Sequence, residues 1–181
     1  SRGIKTHLVG VDGQGRLDVE AYQRALGPRT AIASVMSANN ETGTLFPVEQ
    51  LSVMAHEAGA LFHTDAVQAV GRIPLDLKAT GIDMLSLSGH KLHGPKGIGA
   101  LYLRKGTPFN PLLRGGPQER RRRGGTENVP GIVGLGQAAE LALNQMEDGR
   151  SHVGALRDRL EAGILAIGDC SVLGDVANRL P

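Results

Sequence analysis

The chain has 181 residues, 40% of them hydrophobic, which is enough to bury a real core within one domain. Its 20 basic and 18 acidic side chains leave a formal charge of +2, and aromatics are only 3% of residues. Neither a basic footprint nor a set of stacking platforms points to nucleic acid, and no apolar run is long enough to span a membrane.

No charged-then-apolar leader opens the sequence, and a single cysteine, Cys170, cannot close an internal disulfide. A reducing cytoplasm is therefore the expected compartment. The sequence starts Ser-Arg-Gly and stops just after a predicted short strand at residues 171–173. It reads as an excised piece.

Residues 5–11 read as a first strand. Asp18 then caps a helix through Leu26, stopped by Gly27 and Pro28. The apolar run TAIASVM, residues 30–36, has the character of a buried strand and ends in Ser37, Ala38, Asn39 and Asn40. Pro47 opens the next helix, where its missing N–H costs nothing, and Val48, Leu51, Ala55 and Ala58 recur at helical spacing. A further strand from Ala60 ends in His63, Thr64 and Asp65, with Gln68 one turn on. Residues 82–87 alternate as a buried strand, and GALYLR, residues 99–104, makes one more. Residues 107–128 read as a loop carrying the run Arg120, Arg121, Arg122, Arg123, either a solvated face or an anion site. Two helices follow at residues 130–147 and 150–167, the second with Val153, Leu156, Leu160, Ile164 and Ile167 on one face.

Alternating strands and helices predict an α/β fold with a mainly parallel sheet and flanking helices. In open sheets of this kind ligands bind beyond the carboxyl ends of the strands, so Asn40, Asp65 and Lys91 are expected to converge on one crevice. Lys91 stands in the stretch SLSGHKLHGPKGIG, after a hydrophobic strand and among glycines that allow close approach. Burial there could lower its pKa and make the amine a nucleophile. Gly89 and Gly94 have the spacing of P-loop glycines, but Pro95 breaks the match and removes an N–H from any phosphate cradle. An ATPase is excluded on that ground.

Two chemistries suit these side chains. In a pyridoxal phosphate enzyme, Lys91 bonds the cofactor and Asp65 pairs with the pyridinium nitrogen. Asn40 and Gln68 then contact the phenolic oxygen, while Ser88 and His90 bind the phosphate. In the alternative, His63, Asp65, His90 and His93 hold a metal for a hydrolase, which leaves Lys91 without a role.

Four separated motifs, ANNETG, FHTDAVQAVGRIPLDL, DMLSLSGHKLHGPKGIGALYLRKG and RGGTENVPGIVGLG, occur in this order. Together they resemble cysteine desulfurases of the class V aminotransferase superfamily, most closely the NifS type associated with nitrogen fixation. The resemblance implies a fold type I large domain, of which residues 1–181 are the central part. The upstream segment and the C-terminal small domain would lie outside it.

It implies pyridoxal 5'-phosphate as cofactor, Lys91 as the catalytic amine, and Asn40, Asp65, Gln68, Ser88 and His90 as further cofactor contacts. Thr126 would reach the cofactor phosphate of a neighbouring subunit, which makes a homodimer the implied unit. L-cysteine would be converted to L-alanine, with the sulfur carried as an enzyme persulfide to an iron–sulfur scaffold protein. The family's nucleophilic cysteine would lie downstream of residue 181, and Cys170 is expected to be a semi-buried structural thiol. His93 is read as a packing residue or a support behind the site, not as a catalytic one. The 181-residue chain alone is expected to show no turnover and at best weak cofactor binding. A selenocysteine lyase or another class V lyase is the alternative reading.

Overall fold

The computed structural model describes residues 3–181. Its first helix, α1 (Val19–Ala25), begins where Asp18 caps it, the carboxylate accepting the Ala21 amide at 2.8 Å. The four strands β1 (Ile32–Met36), β2 (Leu61–Asp65), β3 (Met84–Ser88) and β4 (Gly99–Leu103) form one sheet in that spatial order. Between β1 and β2 runs α2 (Val48–Glu57), which starts directly after Pro47.

Period-two alternation decides which face is core. Along β2, Phe62 and Thr64 are buried while Asp65 is exposed. Ala33, Phe62 and Leu85 share the buried face, and α2 covers it with Val48, Leu51 and Ala55. Phe62, Leu51 and Ile82 are fully buried, each contributing roughly 1.5–3 kcal/mol of transfer free energy. The opposite face carries Ser34, His63 and Ser86 and stays open, with Ile32 and Leu101 exposed at its two edges.

The β1/β2 and β2/β3 pairings are parallel, as the alternation of strands and helices predicts, but β3/β4 is antiparallel. Only a short connection separates β3 from β4, too short for a crossover helix, so the chain must turn back. That connection opens with a 3-10 turn, Gly89–Leu92, and is tied by the Gly89 amide to the Ile98 carbonyl at 2.9 Å. Its glycines serve packing. A Cβ on Gly89 would meet Ile98 Cγ2 at 2.8 Å, and one on Gly94 would meet the Gly89 carbonyl oxygen at 3.0 Å.

Four sequence expectations are corrected. Residues 5–11 form no strand: among the described residues only Val11 makes an isolated bridge, to Leu17, and no strand pairs with the rest. Residues 171–173 form none either, and the segment after them is held instead by a bridge from Arg179 to Thr44. The two predicted helices are one, α3 (Val129–Leu165), capped by Asn128. Gly149 costs about 1 kcal/mol relative to alanine in a helix, which is not enough to break it without a proline. The stripe Val153, Leu156, Leu160 and Ile164 faces solvent on α3, and Ile167, past its end, is exposed as well. Cys170 is exposed rather than semi-buried, since it follows the helix in a stretch without regular structure.

The arginine run is ordered as well. Two short strands, β5 (Pro117–Gln118) and β6 (Arg123–Gly124), pair antiparallel around a tight turn. Within that turn Glu119, Arg120 and Arg121 have φ of 50°, 55° and 68°, a left-handed stretch built without glycine.

Candidate active site

The parallel strands end side by side, and the register is direct: Met36 pairs with Asp65, and Asp65 with Ser86. Beyond these ends lies a cleft of about 240 Å³ lined by Met36, Ala38, Asn40, Asp65, Val67 and Gln68. It thus brings together three predicted residues, Asn40, Asp65 and Gln68. The apolar Met36, Ala38 and Val67 supply its walls, and no periodicity in the sequence marks them as such.

Each polar group is oriented. Asp65 Oδ1 accepts the Val67 amide at 3.0 Å, a turn closed by the residue itself, and Oδ2 keeps its acceptor capacity. The Gln68 carbonyl oxygen accepts from the Arg72 guanidinium at 2.8 Å. With that end engaged, the amide NH2 is left as the donor. Arg72, spaced four residues from Gln68, thus sets the polarity of Gln68, a role the sequence reading missed although the spacing shows it. Asn40 sits in the turn organised by Asn39, whose Oδ1 accepts the amides of Glu41 and Thr42 at 2.8 and 2.9 Å. Beneath the turn, the buried hydroxyls of Ser37 and Thr64 lie 2.7 Å apart and join β1 to β2.

Ser88, His90 and Lys91 follow from β3 at the same end of the sheet but do not line this cleft. Ser88 Oγ lies 2.7 Å from His90 Nδ1, so hydroxyl and imidazole are presented as a pair. Lys91 is half-buried and forms no ion pair among the described residues. Thr126 is exposed in the loop after β6 and lies apart from the cleft lining. That loop is held by Arg123, which donates to the carbonyls of Gly125 at 2.7 Å and Thr126 at 3.3 Å.

The metal alternative is not supported by the arrangement. Among the described residues no group of three or more His, Cys, Asp or Glu side chains could hold a metal ion. His63 has both ring nitrogens engaged, with Nδ1 2.8 Å from Ser34 Oγ and Nε2 2.9 Å from Ser86 Oγ. His93 is exposed at φ 61°, closing the 3-10 turn. Burial holds the His63 imidazole below the usual histidine range, with the Asp65 carboxylate acting in the opposite direction.

An open, mainly parallel sheet with flanking helices, and with an acid and two amides at its strand ends, has the architecture of the large domain of fold type I enzymes, the class that binds pyridoxal phosphate. The chain belongs to the aminotransferase class-V family, whose model it matches over residues 1–181. A cysteine desulfurase of Bradyrhizobium diazoefficiens is 69% identical over 180 residues, covering 99% of this chain and 46% of the relative. The cysteine desulfurase NifS of Azotobacter vinelandii is 60% identical over 182 residues, covering 100% of this chain and 45% of its own length. A solved NifS-like protein superposes with a TM-score of 0.95 at 40% identity, covering 99% of this chain and 50% of that one. The chain thus spans about half the length of the curated relatives it matches. Among the described residues no helix is long and apolar enough to cross a membrane.

Proposed function

We propose that the chain is the cofactor-binding part of a cysteine desulfurase that converts L-cysteine to L-alanine. The sulfur would stay on the enzyme as a persulfide and pass to an iron–sulfur scaffold protein. The observation that carries this reading is the cleft itself: a carboxylate with one oxygen anchored and one free, beside an amide turned donor-outward by Arg72.

The donor set suits pyridoxal phosphate. A ring nitrogen that must stay protonated needs an acceptor with formal charge, which Asp65 supplies, and a phenolic oxygen needs donors, which Asn40 and Gln68 supply. Met36, Ala38 and Val67 offer apolar contact for an aromatic ring. The paired Ser88 and His90 offer a hydroxyl and a ring N–H to a phosphate. When bound, the cofactor supplies an electron sink for negative charge at a substrate carbon.

The Lys91 amine would hold the cofactor covalently and then take and return the proton at the substrate Cα. Its 3-10 turn, packed against α3 and tied to Ile98, limits the positions that amine can reach. Thr126 would serve the phosphate site of a second subunit, with Arg123 holding its loop, and the functional unit would be a homodimer.

The test is chemical. The full-length enzyme containing this chain, mixed with pyridoxal phosphate, should be yellow and, after borohydride reduction, carry the added mass on the peptide containing Lys91. A label found on other lysines, and retained in full by Lys91→Ala, would refute the assignment.

A further inference from the structure

Behind Asp65 lies a polar row that the reaction as described does not use. One imidazole spans three strands: Ser34 on β1 meets His63 Nδ1 at 2.8 Å, and Ser86 on β3 meets His63 Nε2 at 2.9 Å. His63 and Asp65 are two residues apart on β2 and therefore share a face. Ser86 stands opposite Asp65 in the ladder, so the row ends beside the carboxylate.

The partners are hydroxyls, and that matters. A neutral imidazole has one donor and one acceptor nitrogen, and a hydroxyl can meet either, so the row closes with a single tautomer in either direction. Hydroxyls offer no formal charge to favour an imidazolium, whereas a carboxylate partner would. Across the sheet the registers place Ser34, Met84 and Ser86 beside the ring, none of them charged. Among the described residues Asp65 is the one charged group acting on it.

We infer that His63 is a positioning residue for the Asp65 carboxylate: gripped at both nitrogens by Ser34 and Ser86, it fixes the end of β2 and keeps a neutral ring behind the acid. The inference rests on the reading of Asp65 as partner of the cofactor's ring nitrogen. A cation at residue 63 would compete for the carboxylate that has to hold that nitrogen's proton. A ring free to turn would let the strand end shift.

The first arm of the test uses the chain alone. Nitrogen-15 NMR of the His63 ring should show one protonated and one bare nitrogen, with a titration midpoint below that of an ordinary histidine. In Asp65→Asn the midpoint should fall further, because the carboxylate that favours the imidazolium is gone. A midpoint unmoved by Asp65→Asn would overturn the inference without any His63 variant.

The second arm adds pyridoxal phosphate to the full-length enzyme and follows the visible band. His63→Phe, which keeps a flat ring and loses both hydrogen bonds, should bind about tenfold more weakly, on the scale at which outer supports of a ligand set act. It should also shift the pH midpoint of the bound chromophore, and His63→Gln should recover most of both. Ser86→Ala, which cuts one of the two contacts, should fall between. If the band forms through Lys91 but all three variants match the parent in affinity and midpoint, the His63 inference alone falls. If Lys91→Ala leaves the band intact, the reading of the site falls and takes this inference with it.

Discussion

The Nε2 atom of His56 lies 2.8 Å from Oδ2 of Asp83, and the same carboxylate oxygen accepts the Phe62 amide at 2.8 Å. One buried acid at the start of β3 thereby ties α2 to β2. Asp83→Ala leaves a buried amide without a partner, and the expected loss is about 3 kcal/mol of folding stability. Urea unfolding measures it. A midpoint equal to that of the parent chain would show that the strut is not used.

Tyr22 gives the fold an alkaline limit. Its hydroxyl donates to the Leu51 carbonyl at 3.0 Å, and burial pushes its pKa up from 10.0 to about 12. The unfolded chain releases this proton near pH 10 while the folded chain keeps it, so the folded state binds more protons between those values. Stability must then fall as pH rises through that window. Tyr22→Phe loses the hydrogen bond but should abolish this part of the pH dependence. Thermal melts at pH 9 and pH 11 on both proteins decide it, and equal slopes would contradict the assignment.

His63 has the opposite sense. Its folded pKa is depressed by burial, so below about 6.5 the unfolded chain takes up a proton that the folded chain refuses. The stability it contributes is complete above that value and is lost as pH falls. His63→Gln should flatten the stability profile in mildly acidic solution while leaving the value at pH 8 little changed.

The left-handed turn at Glu119, Arg120 and Arg121 stores strain. Left-handed φ costs an L-residue about 1–2 kcal/mol, and glycine gives back part of the relief through its greater freedom in the unfolded chain. Arg121→Gly should therefore stabilise the chain by about 0.5–1 kcal/mol. A destabilised variant would mean that the Arg121 side chain makes up for its backbone.

Cys170 is exposed and should react in full with a thiol reagent in the native chain. Protection of Cys170 until denaturant is added would restore the sequence reading of a structural thiol.

The strand ends were legible because buried parallel strands read as apolar runs that stop abruptly at polar residues, as at Met36 and Asp65. Asp18 and Pro47 marked helix starts through their own chemistry. Other features depend on contacts distant in sequence. Residues 5–11 have the composition of a strand, but beyond the Val11 bridge no strand among the described residues pairs with them, and the direction of β4 follows from connection length, not from its residues. Of the three residues expected to converge, Asn40 and Asp65 share the cleft with Gln68 while Lys91 lies outside its lining, and the walls Met36 and Val67 look like any core residue. His63 entered the sequence reading only through the metal alternative, because nothing in the sequence shows that Ser34 and Ser86 reach it from two other strands.

The reversal between β3 and β4 has an energetic consequence for Lys91. Ser88 and Gly99 face each other in the ladder, so the segment bearing the amine leaves and re-enters the sheet at the same rung. The entropy of closing that loop is lost when the sheet forms, not when a ligand arrives. Cofactor binding at Lys91, as proposed above, would therefore begin from a tethered amine, with little ordering of the backbone left for a small molecule to drive.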